Sequence, residues 1–317
     1  MKKFLVKPAI KAQILITGGL GFIGSHLAKK LIDKNFFLII IDDLTNANLK
    51  ILKNLPKDSF YLIKADINDK KKVINEMKEY NPSILVHLAA IHYIPYCLKN
   101  PKKTNRTNVA GTENAIEIAK IKGINKFIFS SSAAVYKPSD KEHKESSKVL
   151  PIDVYGKSKL KAEEKIRECC PKNKIKYVIL RFFNIYGSND LTPHFIPSIL
   201  KKIKNSNTIK LGNLKTARDY LHVDDLVNAL IKIIERKELN NEIYNVGTGK
   251  STTGNEIIEI VSKIKETDIR IDSDKNLIRK TDRKKLVANI QKLSVYCGWK
   301  PKYSISRGLR ELIESSE

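Results

Sequence analysis

The sequence predicts an α/β fold in which a doubly wound parallel sheet is followed by a smaller C-terminal α/β lobe. Short apolar segments alternate with helical patterns through the first half of the 317-residue chain, as in parallel sheets. Several of these segments are apolar at consecutive residues, which is expected when helices cover both faces of a sheet. A glycine-rich turn follows the first apolar segment and opens a helix.

The individual elements follow from these patterns in order. Strands are predicted at Gln13–Thr17, Phe36–Asp42, Phe60–Ala65, Ile84–Ala89, Lys126–Ser131, Lys176–Arg181 and Glu242–Val246. Helices are predicted at Ser25–Asp33, Lys70–Tyr80, Thr107–Lys122 and Gly156–Cys170, and more loosely around Pro193–Lys204, Thr253–Lys265 and Ser304–Ile313. We expect a first domain over residues 1–184, to which residues 217–247 return, and a lobe over residues 185–317.

The chain is strongly basic, with 59 Lys and Arg against 34 Asp and Glu and a net charge of +25. The cations are scattered in short runs, without a basic tail or an arginine-rich arm, so the pattern favours solvated faces over nucleic-acid binding. Four cysteines show no C-x-x-C pair, which indicates reduced thiols and no metal site. No apolar stretch has the length of a membrane span. A cytoplasmic protein is expected.

The glycine-rich turn is typical of dinucleotide binding. Gly18 permits the tight turn after the strand, Gly21 lets the backbone approach a pyrophosphate, and Gly24 allows the helix to pack closely. The helix N-terminus then points at the anion. Asp42 and Asp43 end the second predicted strand, where a carboxylate accepts hydrogen bonds from ribose hydroxyls and repels a 2′-phosphate. The pattern favours NAD over NADP.

A second group of residues has the properties of a proton-transfer site. Ser132 ends the serine cluster after the fifth predicted strand, and Tyr155 and Lys159 share a face of the helix that follows. A lysine ammonium near a phenol favours the phenolate, so Lys159 is expected to lower the pKa of Tyr155. Tyr155 is then a general base towards a substrate hydroxyl, assisted by Ser132.

In combination, these motifs resemble those of the extended short-chain dehydrogenases/reductases, in the NAD-dependent epimerase/dehydratase group. The similarity covers residues 13–313 and implies a Rossmann-type cofactor domain, bound NAD and a homodimer formed by the Thr107–Lys122 and Gly156–Cys170 helices. The implied catalytic residues are Ser132, Tyr155 and Lys159. The implied cofactor-binding residues are Gly18, Gly21, Phe22, Ile23, Gly24, Asp42, Asp43, Leu44, Asp66, Ile67, Leu88, Ala89, Ala90, Asn108, Ser130, Tyr155, Lys159 and Phe183.

The same resemblance implies a nucleotide-sugar substrate bound by the C-terminal lobe. Its implied contacts are Ser132, Tyr155, Asn184, Arg218 and Arg279. The two arginines suit a diphosphate, because each guanidinium offers a planar fork of donors. The segment at Arg279 departs from the family pattern, since Lys280 and Thr281 stand where Pro and Gly are usual.

Two alanines reduce the number of reactions that the resemblance allows. Ala133 and Ala134 stand where related dehydratases and decarboxylases carry acidic residues, so C4 epimerisation of a UDP-sugar through a 4-keto intermediate is the expected activity. A nucleotide-4-keto-sugar reductase or a 2-epimerase stays open as an alternative. Outside the enzymes, the alternative is a basic NAD-sensing protein that binds RNA or another polyanion. His92 is either a ligand contact or an ordinary loop histidine.

Overall fold

The computed structural model describes residues 10–274 and 283–315. Its strands are β1 (Gln13–Thr17), β2 (Phe37–Asp42), β3 (Phe60–Lys64), β4 (Ile84–His87), β5 (Lys126–Ser132), β6 (Lys176–Phe182), β7 (Asn184–Tyr186), β8 (Thr208–Leu211), β9 (Ala217–Arg218), β10 (Tyr220–His222), β11 (Glu242–Val246), β12 (Thr252–Thr253), β13 (Arg270–Ser273) and β14 (Lys285–Leu286). Its α-helices are α1 (Phe22–Ile32), α2 (Lys70–Glu76), α3 (Ile94–Lys99), α4 (Pro101–Asn105), α5 (Gly111–Ile121), α6 (Val154–Lys172), α7 (Phe195–Ile203), α8 (Val223–Ile234), α9 (Gly254–Lys265), α10 (Gln291–Cys297) and α11 (Ile305–Glu314). Single turns of other helix types lie at Leu49–Asn54, Arg106–Ala110 and Ala133–Val135.

A seven-stranded parallel sheet forms the centre of the first domain, in the order β11-β6-β5-β4-β1-β2-β3. All seven strands coincide with predicted strands, which confirms the predicted fold class. Because every strand runs the same way, the loops after β1, β4, β5 and β6 leave from one edge of the sheet. This is the edge at which open parallel sheets bind ligands.

The sheet is covered on both faces, which explains its consecutive apolar residues. Ile14 and Ile16 of β1 pack with α1 and α8 in one core layer, whereas Leu15 packs with α5 and α6 in the other. All three side chains are fully buried. Helix α8 was not predicted, although it supplies much of the first layer.

The C-terminal lobe has its own core, formed by α7, α9 and α11 around the β8–β13 pair. Strands β12, β9 and β14 form a separate three-stranded sheet. The buried carboxylate of Asp219 holds that small sheet, because it accepts hydrogen bonds from the backbone amides of Thr248, Gly249 and Ala288. Over the described ranges, no helix has both the length and the apolar character needed to cross a bilayer.

The close approach of α1 to the glycine turn gives a test of the fold. A Cβ on Gly24 would lie 2.2 Å from the Gly18 carbonyl oxygen and 2.7 Å from Gly19 Cα. Both are backbone atoms, so Gly24→Ala should lower the free energy of unfolding by about 1–3 kcal/mol through overpacking. Urea denaturation measures this loss. Lys29→Ala on the exposed face of the same helix is the control, and an equal effect of both substitutions would contradict the packing argument.

Candidate active site

The glycine turn after β1 provides room for a bulky anion. Gly18 has φ +66°, and a Cβ there would lie 2.9 Å from backbone atoms of Ala89. Gly21 is the N-cap of α1 and has extended backbone, so the first amides of the helix are free of a capping side chain. The site thus combines a helix N-terminus with backbone unobstructed by Cβ atoms. These residues fit the pyrophosphate of NAD.

Asp42 lies at the end of β2, beside this turn. One carboxylate oxygen accepts from Leu20 N and the other from Leu44 N, both at 2.9 Å. Each oxygen of an ionised carboxylate has a second acceptor position, so ribose hydroxyls can still bind. Asp43 is exposed and accepts from Thr45 N. The first aspartate therefore fixes the turn and also fits the predicted ribose contact.

Most of the other predicted cofactor residues follow strands of the same sheet. Phe22 and Ile23 form the first turn of α1, Asp66 and Ile67 follow β3, Leu88, Ala89 and Ala90 follow β4, and Phe183 follows β6. The loop after β4 is tied to β1, because Leu88 N donates to Thr17 O and Ala89 N donates to Thr17 Oγ1. The fold thus brings these segments to the one sheet edge.

Asn108 supports this loop from the π-helical turn that precedes α5. Its Oδ1 accepts from Ile91 N at 2.8 Å, and its Nδ2 donates to Ile91 O and to Ser158 Oγ. The side-chain amide of Asn108, which was predicted to contact the cofactor, thus makes its hydrogen bonds to other residues of the protein. In the structure, Asn108 positions the segment that follows Ala90.

His87 is a buried residue that the sequence marked only as part of a motif. Its Nδ1 lies 2.6 Å from Thr17 Oγ1 and its Nε2 lies 3.1 Å from Thr112 Oγ1. Burial, with the charge of Lys159, lowers the pKa of His87 to about 3. A neutral imidazole therefore links β1, β4 and α5 beneath the site.

The three predicted catalytic residues lie together at the end of β5. Ser132 ends β5 and Tyr155 lies in the first turn of α6, close enough for Ser132 to lower the pKa of the Tyr155 phenol. Lys159 Nζ donates to the carbonyl oxygen of Ser130 at 2.6 Å. Ser132 Oγ also accepts from Ala134 N at 3.1 Å, which orients the hydroxyl. A base and a hydrogen-bonding hydroxyl thus face one position, as proton transfer to or from an alcohol requires.

Glu163 is a residue of this helix face that the sequence analysis missed. It follows Lys159 at the same spacing at which Lys159 follows Tyr155, so the three side chains form one stripe on α6. Glu163 makes a bidentate, buried ion pair with Arg181 at 2.6 and 2.9 Å and accepts from Ser131 Oγ at 2.5 Å. The repeated four-residue spacing was the available sequence signal.

We predicted that Lys159 lowers the pKa of Tyr155, and this prediction is wrong when only the groups of the protein act on Tyr155. Burial raises the pKa of Tyr155 well above its usual range, and Ser132 is the neighbour that opposes this rise. Burial also lowers the pKa of Lys159 to about 7, although Glu163 partly offsets this effect. Lys159 Nζ donates to the Ser130 carbonyl oxygen, and Lys159 is not among the groups that lower the pKa of Tyr155.

Two of the predicted substrate residues, Asn184 and Arg218, lie at the start of β7 and the end of β9. Asn184 begins β7, and its backbone N–H donates to the carbonyl oxygen of Asp219, the residue that follows Arg218. Arg218 Nη1 donates to the Ala217 carbonyl oxygen at 2.9 Å. The fold therefore brings Asn184 and Arg218 to one region. Arg279 lies outside the described residues.

His92 follows the β4 loop and contacts the lobe. Its Nε2 lies 3.3 Å from Thr192 Oγ1, and its ring centroid lies 5.3 Å from that of His194. His194 in turn lies 2.9 Å from the buried carboxylate of Asp190. Burial lowers the pKa of His92 to about 4, which keeps the imidazole neutral. His92 therefore joins the loop after β4 to the segment that holds Thr192 and His194.

The pKa of Lys159 predicts a pH dependence of stability. An unfolded lysine has a pKa of about 10.4, so between pH 7 and 9 the unfolded chain holds more proton on Lys159 than the folded chain. Stability from this group is therefore lost as pH falls through this range. When the pH falls from 9 to 7, the free energy of unfolding of the wild type should decrease by on the order of 1–3 kcal/mol relative to that of Lys159→Met. Urea denaturation at both pH values measures this difference. The exposed Lys157→Met is the control, and a pH-independent difference for Lys159→Met would refute the argument.

Comparison with known proteins identifies the family of the chain. A family model described as GDP-mannose 4,6 dehydratase matches residues 15–312. The UDP-glucose 4-epimerase of Lactobacillus helveticus is 30% identical over 311 residues, covering 92% of this chain and 92% of that protein. The crystal structure of UDP-glucose 4-epimerase from Thermotoga maritima with UDP-glucose is 29% identical, covers 95% of this chain and 97% of its own, and has a TM-score of 0.85. The UDP-glucose 4-epimerase of Thermus thermophilus in complex with NAD is 25% identical, covers 95% and 98%, and also has a TM-score of 0.85. The chain belongs to the NAD-dependent epimerase/dehydratase family of extended short-chain dehydrogenases/reductases.

Proposed function

We propose that this protein is an NAD-dependent epimerase that inverts C4 of a UDP-sugar through a transient 4-keto intermediate. The observation that carries the proposal is the grouping of Ser132, Tyr155 and Lys159 where α6 meets the end of β5, at the sheet edge where the glycine turn lies. Relatives named UDP-glucose and UDP-arabinose 4-epimerase support the UDP-sugar and the C4 position.

The protein groups divide the proton chemistry among them. The phenolate form of Tyr155 accepts the proton of the C4 hydroxyl and later returns it, while Ser132 hydrogen-bonds the same oxygen. When NAD is bound, its nicotinamide would accept a hydride from C4 and return it to the opposite face of the sugar. The hydrogen bond to the Ser130 carbonyl oxygen holds Lys159 in position beside Tyr155 on the helix face. From there, Lys159 is a candidate to hydrogen-bond the nicotinamide ribose. The net reaction changes one stereocentre and no oxidation state.

We assign three residues to the rest of the substrate. Asn184 and Arg218 are candidates for binding the diphosphate, and Arg279 is a further candidate for the same role. A 4-keto sugar must turn over between the two hydride steps, so a firmly bound diphosphate keeps it from leaving. We assign substrate binding to the lobe over residues 185–317 with Asn184 at its border, and cofactor binding to residues 1–184 together with the returning segment 217–247, which also contributes Arg218.

The loop after Ser132 favours epimerisation over elimination of water. Ala133 and Ala134 are buried methyl side chains, so this loop offers no acid or base at the positions where related dehydratases have one. The dehydratase description of the matching family model therefore does not extend to the chemistry proposed for this chain.

The assembly and location follow from the same resemblance. We propose a homodimer in which α5 and α6 pack against their counterparts in a second copy. Ile121 on α5 is 50% exposed, and the Glu113–Lys165 ion pair joins the outer surfaces of the two helices. We also propose a cytoplasmic location, since the chain carries four free thiols.

Removal of the Tyr155 hydroxyl tests the mechanism. Tyr155→Phe should lower kcat by about 10²–10⁴-fold, the usual contribution of a positioned acid or base. The assay follows UDP-glucose and UDP-galactose by NMR with only catalytic NAD present, and a wider panel covers other UDP-, GDP-, CDP- and dTDP-sugars. Tyr80→Phe, at the far edge of the sheet beside Tyr61, is the control.

Two outcomes would reject this function. Wild-type turnover by Tyr155→Phe would remove Tyr155 from the mechanism. Stoichiometric consumption of NADH on a 4-keto sugar, with no epimerisation of any panel member, would instead identify a reductase.

A further inference from the structure

Arg283 is a buried arginine next to the strand that pairs with Arg218. Only 7% of its surface is exposed. The next residue, Lys284, accepts a hydrogen bond from Ala217 N at 2.9 Å, and Leu286 pairs with Arg218 in the parallel β9–β14 ladder. The backbone of Arg283 therefore leads into the small sheet that carries a proposed diphosphate contact.

The side chain of Arg283 reaches away from that sheet to the catalytic loop. Its Nη1 donates to the carbonyl oxygen of Tyr136 and its Nη2 to that of Ala134, each at 2.8 Å. Both acceptors lie in the short turn that directly follows Ser132. Because a guanidinium is planar and rigid, two such bonds fix the distance and the direction between the two carbonyls.

This turn contacts Ser132 and the residue that follows Tyr155. Ala134 N donates to Ser132 Oγ at 3.1 Å. The carbonyl oxygen of Ala134, which Arg283 holds, lies against Gly156, where an added Cβ would approach it to 2.5 Å. Gly156 directly follows Tyr155 on α6. A shift of the turn would therefore change the separation of Ser132 and Tyr155.

The surroundings of Tyr136 are rigid as well. Its hydroxyl donates to Asn245 Oδ1 at 2.7 Å, and the Arg181 guanidinium lies 4.8 Å from its ring centroid. The ring stacks on His143 at 4.7 Å, and burial, with the charge of Arg283, lowers the pKa of His143 to about 4. The neighbouring imidazole is thus neutral near pH 7. With these contacts and the Arg283 hydrogen bond, Tyr136 at the end of the turn can move little.

We propose that Arg283 is a positioning residue for proton transfer, which holds the turn after Ser132 and thereby fixes the Ser132 hydroxyl relative to Tyr155. The inference rests on the proposed epimerase function. Since Arg283 approaches from the sheet of Arg218, it also links the position of the diphosphate site to that of the reacting hydroxyl. The guanidinium is directed at protein carbonyls, so its loss affects kcat rather than KM.

Kinetics of two Arg283 variants test the role. Arg283→Ala should lower kcat by about 10–100-fold with KM for the UDP-sugar little changed, because displacements of about 1 Å have effects of this size. Arg283→Lys keeps one of the two bonds and should lose less. Guanidinium ion added at non-denaturing concentration should restore part of the kcat of Arg283→Ala. Arg270→Met is the control, since its side chain is 80% exposed on β13.

Hydrogen exchange gives a readout that does not depend on turnover. Amides in residues 133–137 and 153–158 should exchange faster in both Arg283 variants than in wild type, while those of α9 should not change. Unchanged exchange in 133–137, or a raised KM with unchanged kcat, would overturn the proposal. If wild type epimerises no UDP-sugar, the proposed function fails, yet the exchange measurement still decides whether Arg283 holds the turn.

Discussion

The buried ion pair between Arg181 and Glu163 determines how the catalytic helix lies on the sheet. Both side chains are almost fully buried, and the carboxylate also accepts from Ser131. An unpaired charge at this depth would destabilise the fold by about 3–5 kcal/mol, so α6 cannot rotate or slide without a large penalty. The pair joins β5, β6 and α6, which are the elements that carry the proposed catalytic residues and lead to the substrate contacts.

Once that face of α6 is fixed, the reacting residues follow from helix geometry. Tyr155, Lys159 and Glu163 are spaced by four residues, and each meets one of three consecutive serines: Ser132, Ser130 and Ser131 respectively. The helix thus contacts the end of β5 with three side chains. The interaction that holds this arrangement lies two helical turns from the reacting phenol, where it does not interfere with the substrate.

Much of the fold could be predicted because its strands are buried on both faces, which gives continuous apolar runs. Helix α8 was missed because its first residues, Val223 to Asp225, were read as part of a motif rather than as a helix start. The contact of Arg283 could not be predicted for a different reason. Its acceptors are backbone carbonyls 147 and 149 residues away, and every residue has a backbone carbonyl, so the sequence does not indicate which ones accept. Pairs of side chains such as Tyr155 and Lys159, in contrast, can be predicted from their spacing along a helix.

The pKa values explain why small shifts near Ser132 should matter. Burial disfavours the phenolate of Tyr155, and Ser132 is the neighbour that lowers the pKa of Tyr155. The position of the Ser132 hydroxyl therefore affects the basicity of Tyr155. Ala134 N orients that hydroxyl, and Arg283 holds the carbonyl of the same alanine. A residue without contact to the reacting atoms can thus affect the proton step, because it holds the turn that orients the Ser132 hydroxyl.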